Sequence, residues 1–404
     1  MSRQAAPRIF RWLVTLFVVA TVAGCATLPP RNVLPEALVD GAELINMPGI
    51  RIWGDASERE LRAVLASAPS RGEAPKRRQL SDMLAISGGA EDGAFGAGLL
   101  VGWGVAGTRP RFDYVTGVSA GALIAPFAFL GPKGDKALKE IFTQYGQSDI
   151  LTANVLPGLF GGSAVADSAP LARLIEKYAD RAFLREIARE RRNGRILLIG
   201  TTNIDAQRAV LWDMGRIAMS EHPEALSLFR KVLLASASIP GAFPPVRFKV
   251  RAQGQIYDEM HVDGGITQQV FLAPSALAFR EVDRLYGMPD TARRLYIIRN
   301  GKVTPEWQAV DERVMPIAQR SISTLIKHQS IGDLYRMYAA ARRDGIDYNL
   351  ASIPADFTAK SAGPFDRAYM VPLFALGQKL GRGGYRWLKA PPGLDTTART
   401  AAND

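Results

Sequence analysis

Phe112-Asp113-Tyr114-Val115-Thr116-Gly117-Val118-Ser119-Ala120-Gly121-Ala122-Leu123-Ile124-Ala125-Pro126-Phe127-Ala128-Phe129 changes its hydrophobic rhythm at the centre. Phe112 to Thr116 reads as a strand, rich in aromatic and β-branched residues, and Ala120 to Phe129 reads as a buried helix. Between them stands Gly117-Val118-Ser119-Ala120-Gly121, a G-x-S-x-G. Five letters alone are a weak signal, but strand, tight turn and helix in that order are what a nucleophile elbow requires. The turn is too sharp for bulky neighbours, which is why Gly117 and Gly121 flank the serine, and it presents the Ser119 hydroxyl at a helix N-terminus. There the helix dipole favours a developing negative charge.

Working outward, the same grammar recurs upstream. Ser87-Gly88-Gly89-Ala90-Glu91-Asp92-Gly93 follows an apolar strand, Met83 to Ser87, and leads into a helical run, Ala94 to Trp103. Acyl transfer needs backbone N–H donors aimed at a tetrahedral oxyanion, and Gly88, Gly89 and Ala90 let the backbone approach closely enough to supply them. A phosphate loop is excluded because no G-x-x-x-x-G-K-[ST] is present. Gly102-Trp103-Gly104-Val105-Ala106-Gly107 matches G-x-G-x-x-G, but it follows a helix and precedes none, so the dinucleotide reading fails.

Further strands are expected at Arg195 to Thr201, Ala209 to Asp213, Ile256 to Val262 and Leu295 to Arg299, with helices at Pro170 to Arg192 and Glu224 to Ala235. This alternation predicts an α/β fold, a sheet with helices on both faces. Asp263 opens Asp263-Gly264-Gly265 at the end of its strand, and ligand sites of open α/β sheets gather beyond strand carboxyl ends, where Ser119 also lies.

A serine hydroxyl needs a base, and the chain has only three histidines. His222 precedes Pro223 and reads as a helix cap. His261 shares a sheet face with Asp263 and reads as satisfied packing. His328 has the chain order of a Ser–Asp–His triad, which leaves a His328 esterase open beside a centre that uses Asp263 alone. A non-catalytic lipid- or partner-binding protein is the third reading.

The glycine-rich strand-loop, the G-x-S-x-G and the downstream D-G-G, in that order, resemble the patatin-like phospholipases over about residues 80–300. Gly200-Thr201-Thr202-Asn203 with Ala209 to Asp213, and Ala235 to Val246, support the resemblance. It implies a three-layer sandwich with a central, mostly parallel sheet. It also implies a Ser–Asp dyad, with Ser119 the nucleophile and Asp263 its base, an oxyanion hole from Gly88, Gly89 and their neighbours, and hydrolysis of lipid acyl esters through an acyl-enzyme. An aspartate at its ordinary pKa of about 3.9 is a weak base, so desolvation must raise it. The family's glycine motif usually carries Lys or Arg where Asp92 stands and a third glycine where Ala90 stands, so the expected cation beside the oxyanion is missing.

The chain has 404 residues and a single cysteine, Cys25, which excludes a disulfide framework, a thiolate zinc site and iron–sulfur clusters. Arg3, Arg8 and Arg11 precede the apolar run Trp12 to Ala23, about 18 Å as a helix and too short to span a bilayer comfortably. The run ends in Val22-Ala23-Gly24-Cys25, which resembles a bacterial lipobox and implies a diacylated, N-acylated Cys25. Several acyl chains on one residue hold a protein on a membrane where one would let go. Ala26 after Cys25 leans the expected location to the outer membrane, facing the periplasm. The formal charge of +11 falls to +8 once Arg3, Arg8 and Arg11 are removed with the signal.

The expected organisation is a signal peptide over 1–24, a lipidated tether and linker over 25–79, a catalytic α/β domain over 80–300, a helical C-terminal extension over 301–390 and a tail over 391–404. In the extension, Ile322, Leu325, Ile326, Leu334 and Met337 fit an amphipathic helix ending near Gly345. No cofactor, metal site or nucleic-acid partner is expected; the partners are a lipid or ester substrate and the membrane.

Overall fold

The computed structural model describes residues 30–45, 47–67, 80–153, 163–274, 276–285 and 291–394. The signal, Cys25, residues 68–79 and the end of the tail lie outside them. Twelve strands are formed among the described residues: β1 (Glu43–Leu44), β2 (Arg51–Trp53), β3 (Leu80–Ile86), β4 (Tyr114–Val118), β5 (Thr152–Ala153), β6 (Ala166–Asp167), β7 (Ile196–Asn203), β8 (Arg208–Asp213), β9 (Val246–Ala252), β10 (Gln255–Asp263), β11 (Ala292–Arg299) and β12 (Asp347–Ser352). Five of them, in the order β12-β11-β3-β4-β7, run parallel. Beyond β7 the sheet turns antiparallel, with β8 and β2 on one path and β10, β9 and β1 on the other.

Alternation within the strands shows why there are two helical layers. Leu84 and Ile86 of β3, with Tyr296 and Ile298 of β11, face one core, while Met83, Ala85, Leu295 and Ile297 face another. The first core takes helices α1 (Gly93–Val105), α2 (Ala120–Leu130), α3 (Ala225–Ser236) and α5 (Arg367–Arg382); the second takes α4 (Val314–Asp344) through Leu334, Met337 and Ala341. Helices α1 and α2 are apolar on every side, as suits a helix enclosed by protein. Burying one such Leu or Phe contributes roughly 1.5–3 kcal/mol.

Helix α1 can be enclosed because Gly98 and Gly102 face α5, and Gly377 and Gly381 of α5 face α1. A Cβ on Gly98 or Gly102 would lie 2.1 Å from Phe374 O or Gln378 O, so the two backbones touch. The Gly102 motif is thus a helix-packing surface, which is the physical reason it matches a nucleotide loop only in letters.

Three expectations are corrected. Residues 30–45 and 47–67, read as tether, are folded onto the domain: β1 and β2 extend the sheet, and Leu44, Met47 and Ile50 join the core. The region after Asn300 is not purely a helical extension, since β12 pairs in parallel with β11 inside the main sheet. The helix read over Pro170 to Arg192 is two, Ala169–Tyr178 and Arg181–Arg192, restarted where the Asp180 side chain accepts from Phe183 N. Helix α4 does end at Gly345, in the left-handed region at φ 67. Leu334 and Met337 are buried as its periodicity predicts, but Ile322 and Leu325 face solvent.

Candidate active site

Strand register brings Ser119 and Asp263 together. β4 runs up one side of β7 and ends with Val118 opposite Gly200; β10 arrives antiparallel in the same lane and ends with Asp263 opposite Thr201. The two strand ends therefore abut across one β7 step, and the residue after Val118 is Ser119. Asp263 is fastened there by its own N–H, which donates to Ser238 O at 2.9 Å.

Ser119 has φ 55 and ψ −124, a conformation that side-chain-bearing residues avoid at a cost of about 1–3 kcal/mol. The surroundings impose it. A Cβ on Gly117 would stand 2.3 Å from Gly121 O, and one on Gly121 2.3 Å from Ile86 O, so only glycine lets the elbow close against β3. Ser119 N donates to Ser236 Oγ at 3.0 Å, and Ser236 Oγ donates to Gly200 O at 2.6 Å, a latch from α3 through the elbow to β7. Ser236 was legible only as part of the Ala235 to Val246 stretch; nothing in its spacing announced this role.

The Asp263 carboxyl is buried. Its Oδ1 accepts from Gly265 N at 2.7 Å, while its buried Oδ2 has no partner in hydrogen-bonding geometry. Burial pushes its pKa up to about 6; the Ser119 hydroxyl and the Gly265 N–H act in the opposite sense. The serine hydroxyl thus comes near enough to ease the carboxylate's charge without closing a well-aligned bond. That orphaned oxygen is the notable feature of the pair, because buried carboxylate oxygens ordinarily have donors.

The glycine loop lies alongside. A Cβ on Gly88 would be 3.1 Å from Ser119 Cβ and 3.7 Å from its Oγ. Gly88 N, however, donates to Gln269 O at 3.0 Å, so of the three expected oxyanion donors Gly88 serves the scaffold. The N–H groups of Gly89 and Ala90 donate to no acceptor among the described residues. Gly89 has φ 152 and a Cβ there would meet Asn300 O at 2.3 Å; Ala90 has φ 48, the left-handed conformation a third glycine would adopt without penalty. Asn300, unflagged by any motif, holds the loop by donating Nδ2 to Ser87 O at 2.8 Å and accepting from Gly96 N at 3.1 Å.

Residues 84–274 match the family model described as patatin-like phospholipase. They form a patatin-like phospholipase domain. The protein is accordingly a lipid acyl hydrolase. Among solved structures it is similar to VipD from Legionella pneumophila at 13% identity and a TM-score of 0.35, covering 78% of this chain and 70% of that one. Comparison with curated proteins finds no match.

Within the patatin-like phospholipase domain, Asp92 does not leave the glycine loop without a cation nearby. Buried Arg299 at the end of β11 lies close enough to oppose the rise of the Asp92 pKa, which burial drives to about 7 against the hydrogen bond from Tyr369 Oη at 2.5 Å. Arg299 is held by donating Nε to Ser330 Oγ at 3.0 Å and Nη1 to Lys302 O at 2.7 Å.

The histidines are dispersed. His222 Nδ1 accepts from Glu224 N at 3.2 Å, as a cap does. His261 is fully buried: the ionised Glu259 only accepts, so Nε2 carries the hydrogen toward it at 3.1 Å and Nδ1 accepts from Thr201 Oγ1 at 2.9 Å. His328 is exposed on α4 and its ring makes no hydrogen bond among the described residues. Among those residues no group of three or more His, Cys, Asp or Glu is arranged to hold a metal ion.

Proposed function

We propose that this protein is a membrane-anchored serine acylhydrolase that cleaves lipid acyl esters through Ser119 and Asp263. The observation that carries the reading is the buried Asp263 carboxyl beside the Ser119 elbow, with one oxygen unclaimed by the protein and a pKa raised toward neutrality. Asp263 takes the Ser119 proton as Oγ adds to the ester carbonyl. The N–H groups of Gly89 and Ala90 hold the oxyanion, helped by the N-terminus of α2. Collapse of the tetrahedral adduct returns the proton to the leaving alcohol and leaves an acyl-Ser119. Water, deprotonated by the same carboxylate, then releases the fatty acid and regenerates the serine.

The exposure of His328 favours the two-residue centre over a triad. His328→Ala is expected to keep turnover of a soluble ester within about twofold of the parent. A loss of 10³-fold or more, the scale of removing a catalytic base, would instead make it the base.

The anchor in this proposal is an acylated Cys25, supported by the lipobox-like run that precedes it and by its being the chain's single cysteine. It would hold the enzyme in the bacterial cell envelope, on the periplasmic side of the outer membrane. Cys25→Ser is expected to shift the protein from the membrane pellet to the soluble fraction on fractionation; full retention in the pellet would remove the anchor from the proposal.

A further inference from the structure

The N–H groups of Gly89 and Ala90 can hold an oxyanion only while their peptide planes keep one orientation, and the loop that carries them is built from residues that resist rotation least. Gly88 and Gly89 flank the first of the two planes, and neither has a Cβ to limit its dihedrals. Asn300 O stands where a Gly89 Cβ would be, so a side chain cannot stiffen the loop from within. The plane has to be fixed by a hydrogen bond.

A peptide unit is planar with its N–H and C=O on opposite edges, so whatever grips the carbonyl aims the N–H. Both planes are gripped in this way. The Gly89–Ala90 unit is held by the backbone itself, because Gly89 O accepts from Asp92 N at 2.9 Å in the turn Ala90–Asp92. The Gly88–Gly89 unit is held by a side chain. Ser87 Oγ donates to Gly88 O at 2.7 Å while accepting from Asn300 N at 2.8 Å, which leaves the hydroxyl hydrogen to the carbonyl. Ser87 is buried and its backbone is pinned as well: Ser87 N donates to Ile298 O at 3.0 Å, and Ser87 O accepts from Asn300 Nδ2 at 2.8 Å.

Sheet order gives the direction. Ser87 continues β3, Asn300 continues β11 on one side of it, and Ser119 continues β4 on the other. A Gly88 carbonyl drawn to the Ser87 hydroxyl, itself bonded to Asn300, turns the Gly89 N–H away from β11 and to the side of Ser119.

We propose that Ser87 is a positioning residue for ester hydrolysis: its hydroxyl locks the Gly88–Gly89 peptide so that the Gly89 N–H meets the oxyanion formed on Ser119. This rests on the Ser119 acylhydrolase reading, and the test separates the two. The parent, Ser87→Ala and Ser87→Thr are assayed with p-nitrophenyl butyrate and with its thiono analogue, in which sulfur replaces the carbonyl oxygen and accepts hydrogen bonds poorly. Deleting an oxyanion donor outright costs about 10²–10³-fold in kcat. Ser87→Ala keeps the donor but frees its plane, so kcat for the oxygen ester is expected to fall by about 10–100-fold with KM within about twofold. The thionoester draws less on that donor, so the ester-to-thionoester ratio of kcat/KM should drop by about tenfold. Ser87→Thr keeps the hydroxyl and is expected to hold the ratio within about twofold of the parent. The ratio is independent of how much protein is folded, so it reports on the donor even in a variant that folds poorly. An unchanged ratio in Ser87→Ala overturns the assignment, because a general loosening of the core slows both substrates alike. An equal drop in Ser87→Thr also overturns it. A Ser119→Ala variant as active as the parent on p-nitrophenyl butyrate refutes the Ser119 reading itself, and the role of Ser87 falls with it.

Discussion

Ser119→Ala is expected to lower ester turnover by roughly 10⁴-fold or more, because in the proposed mechanism it removes the atom that forms the acyl-enzyme and leaves just the oxyanion donors and substrate binding. The fold should not notice. The backbone N–H of residue 119 still donates to Ser236 Oγ, and alanine fits wherever serine did. Circular dichroism and the thermal midpoint are therefore expected to match the parent. Ser119→Gly sharpens the argument: equally inactive, it relieves the φ 55, ψ −124 strain and should be the more stable protein by about 1–3 kcal/mol. An elbow whose glycine variant is less stable would mean that the backbone is not strained there.

Asp263→Asn is expected to reduce turnover by roughly 10²–10⁴-fold while making the protein more stable at alkaline pH. The amide oxygen still accepts from Gly265 N, so the turn survives, but no base remains to take the serine proton. The sign of the stability effect follows from the raised pKa. With the folded value near 6 and the unfolded value near 3.8, the native state binds the extra proton between them. Its stabilising contribution is complete below pH 4 and is lost as pH rises through 6. At pH 8 the parent carries an ionised buried carboxylate at a cost of about 3 kcal/mol, which asparagine avoids. Thermal melts should show the variant ahead at pH 8 and the gap closing toward pH 4. The same pKa requires the parent's kcat/KM to fall about tenfold per pH unit below 6 and to level above it.

How much of this was legible in sequence depends on whether the cause was local. The elbow was readable because strand, glycine turn and helix are contiguous, and the Asp263 turn because it ends a strand run. The meeting of the two was an inference from strand ends, and its cause, the Val118–Gly200 and Asp263–Thr201 register on β7, involves three segments far apart in the chain. Ser236 and Asn300 fix the elbow and the glycine loop by hydrogen bonds that reach across the fold, and an isolated serine or asparagine has no periodicity to betray it. β9 did carry a signal, since Val246, Phe248, Val250 and Ala252 are buried and alternate with Arg247, Lys249 and Arg251, yet with three basic residues in seven it was not among the strands read from the sequence. Gly88 was read as one of three oxyanion donors, but which N–H of the loop remains free depends on Gln269, 181 positions later, whose carbonyl takes the Gly88 N–H.

Mapping the adduct of a fluorophosphonate by peptide mass spectrometry tests the central claim most directly, since the probe phosphonylates only a serine activated by its surroundings. The account predicts one adduct, on Ser119, forming in the parent and in His328→Ala at similar rates and slowed severalfold or more in Asp263→Asn. An adduct on any other residue, none at all, or labelling that depends on His328 and not on Asp263 would contradict it.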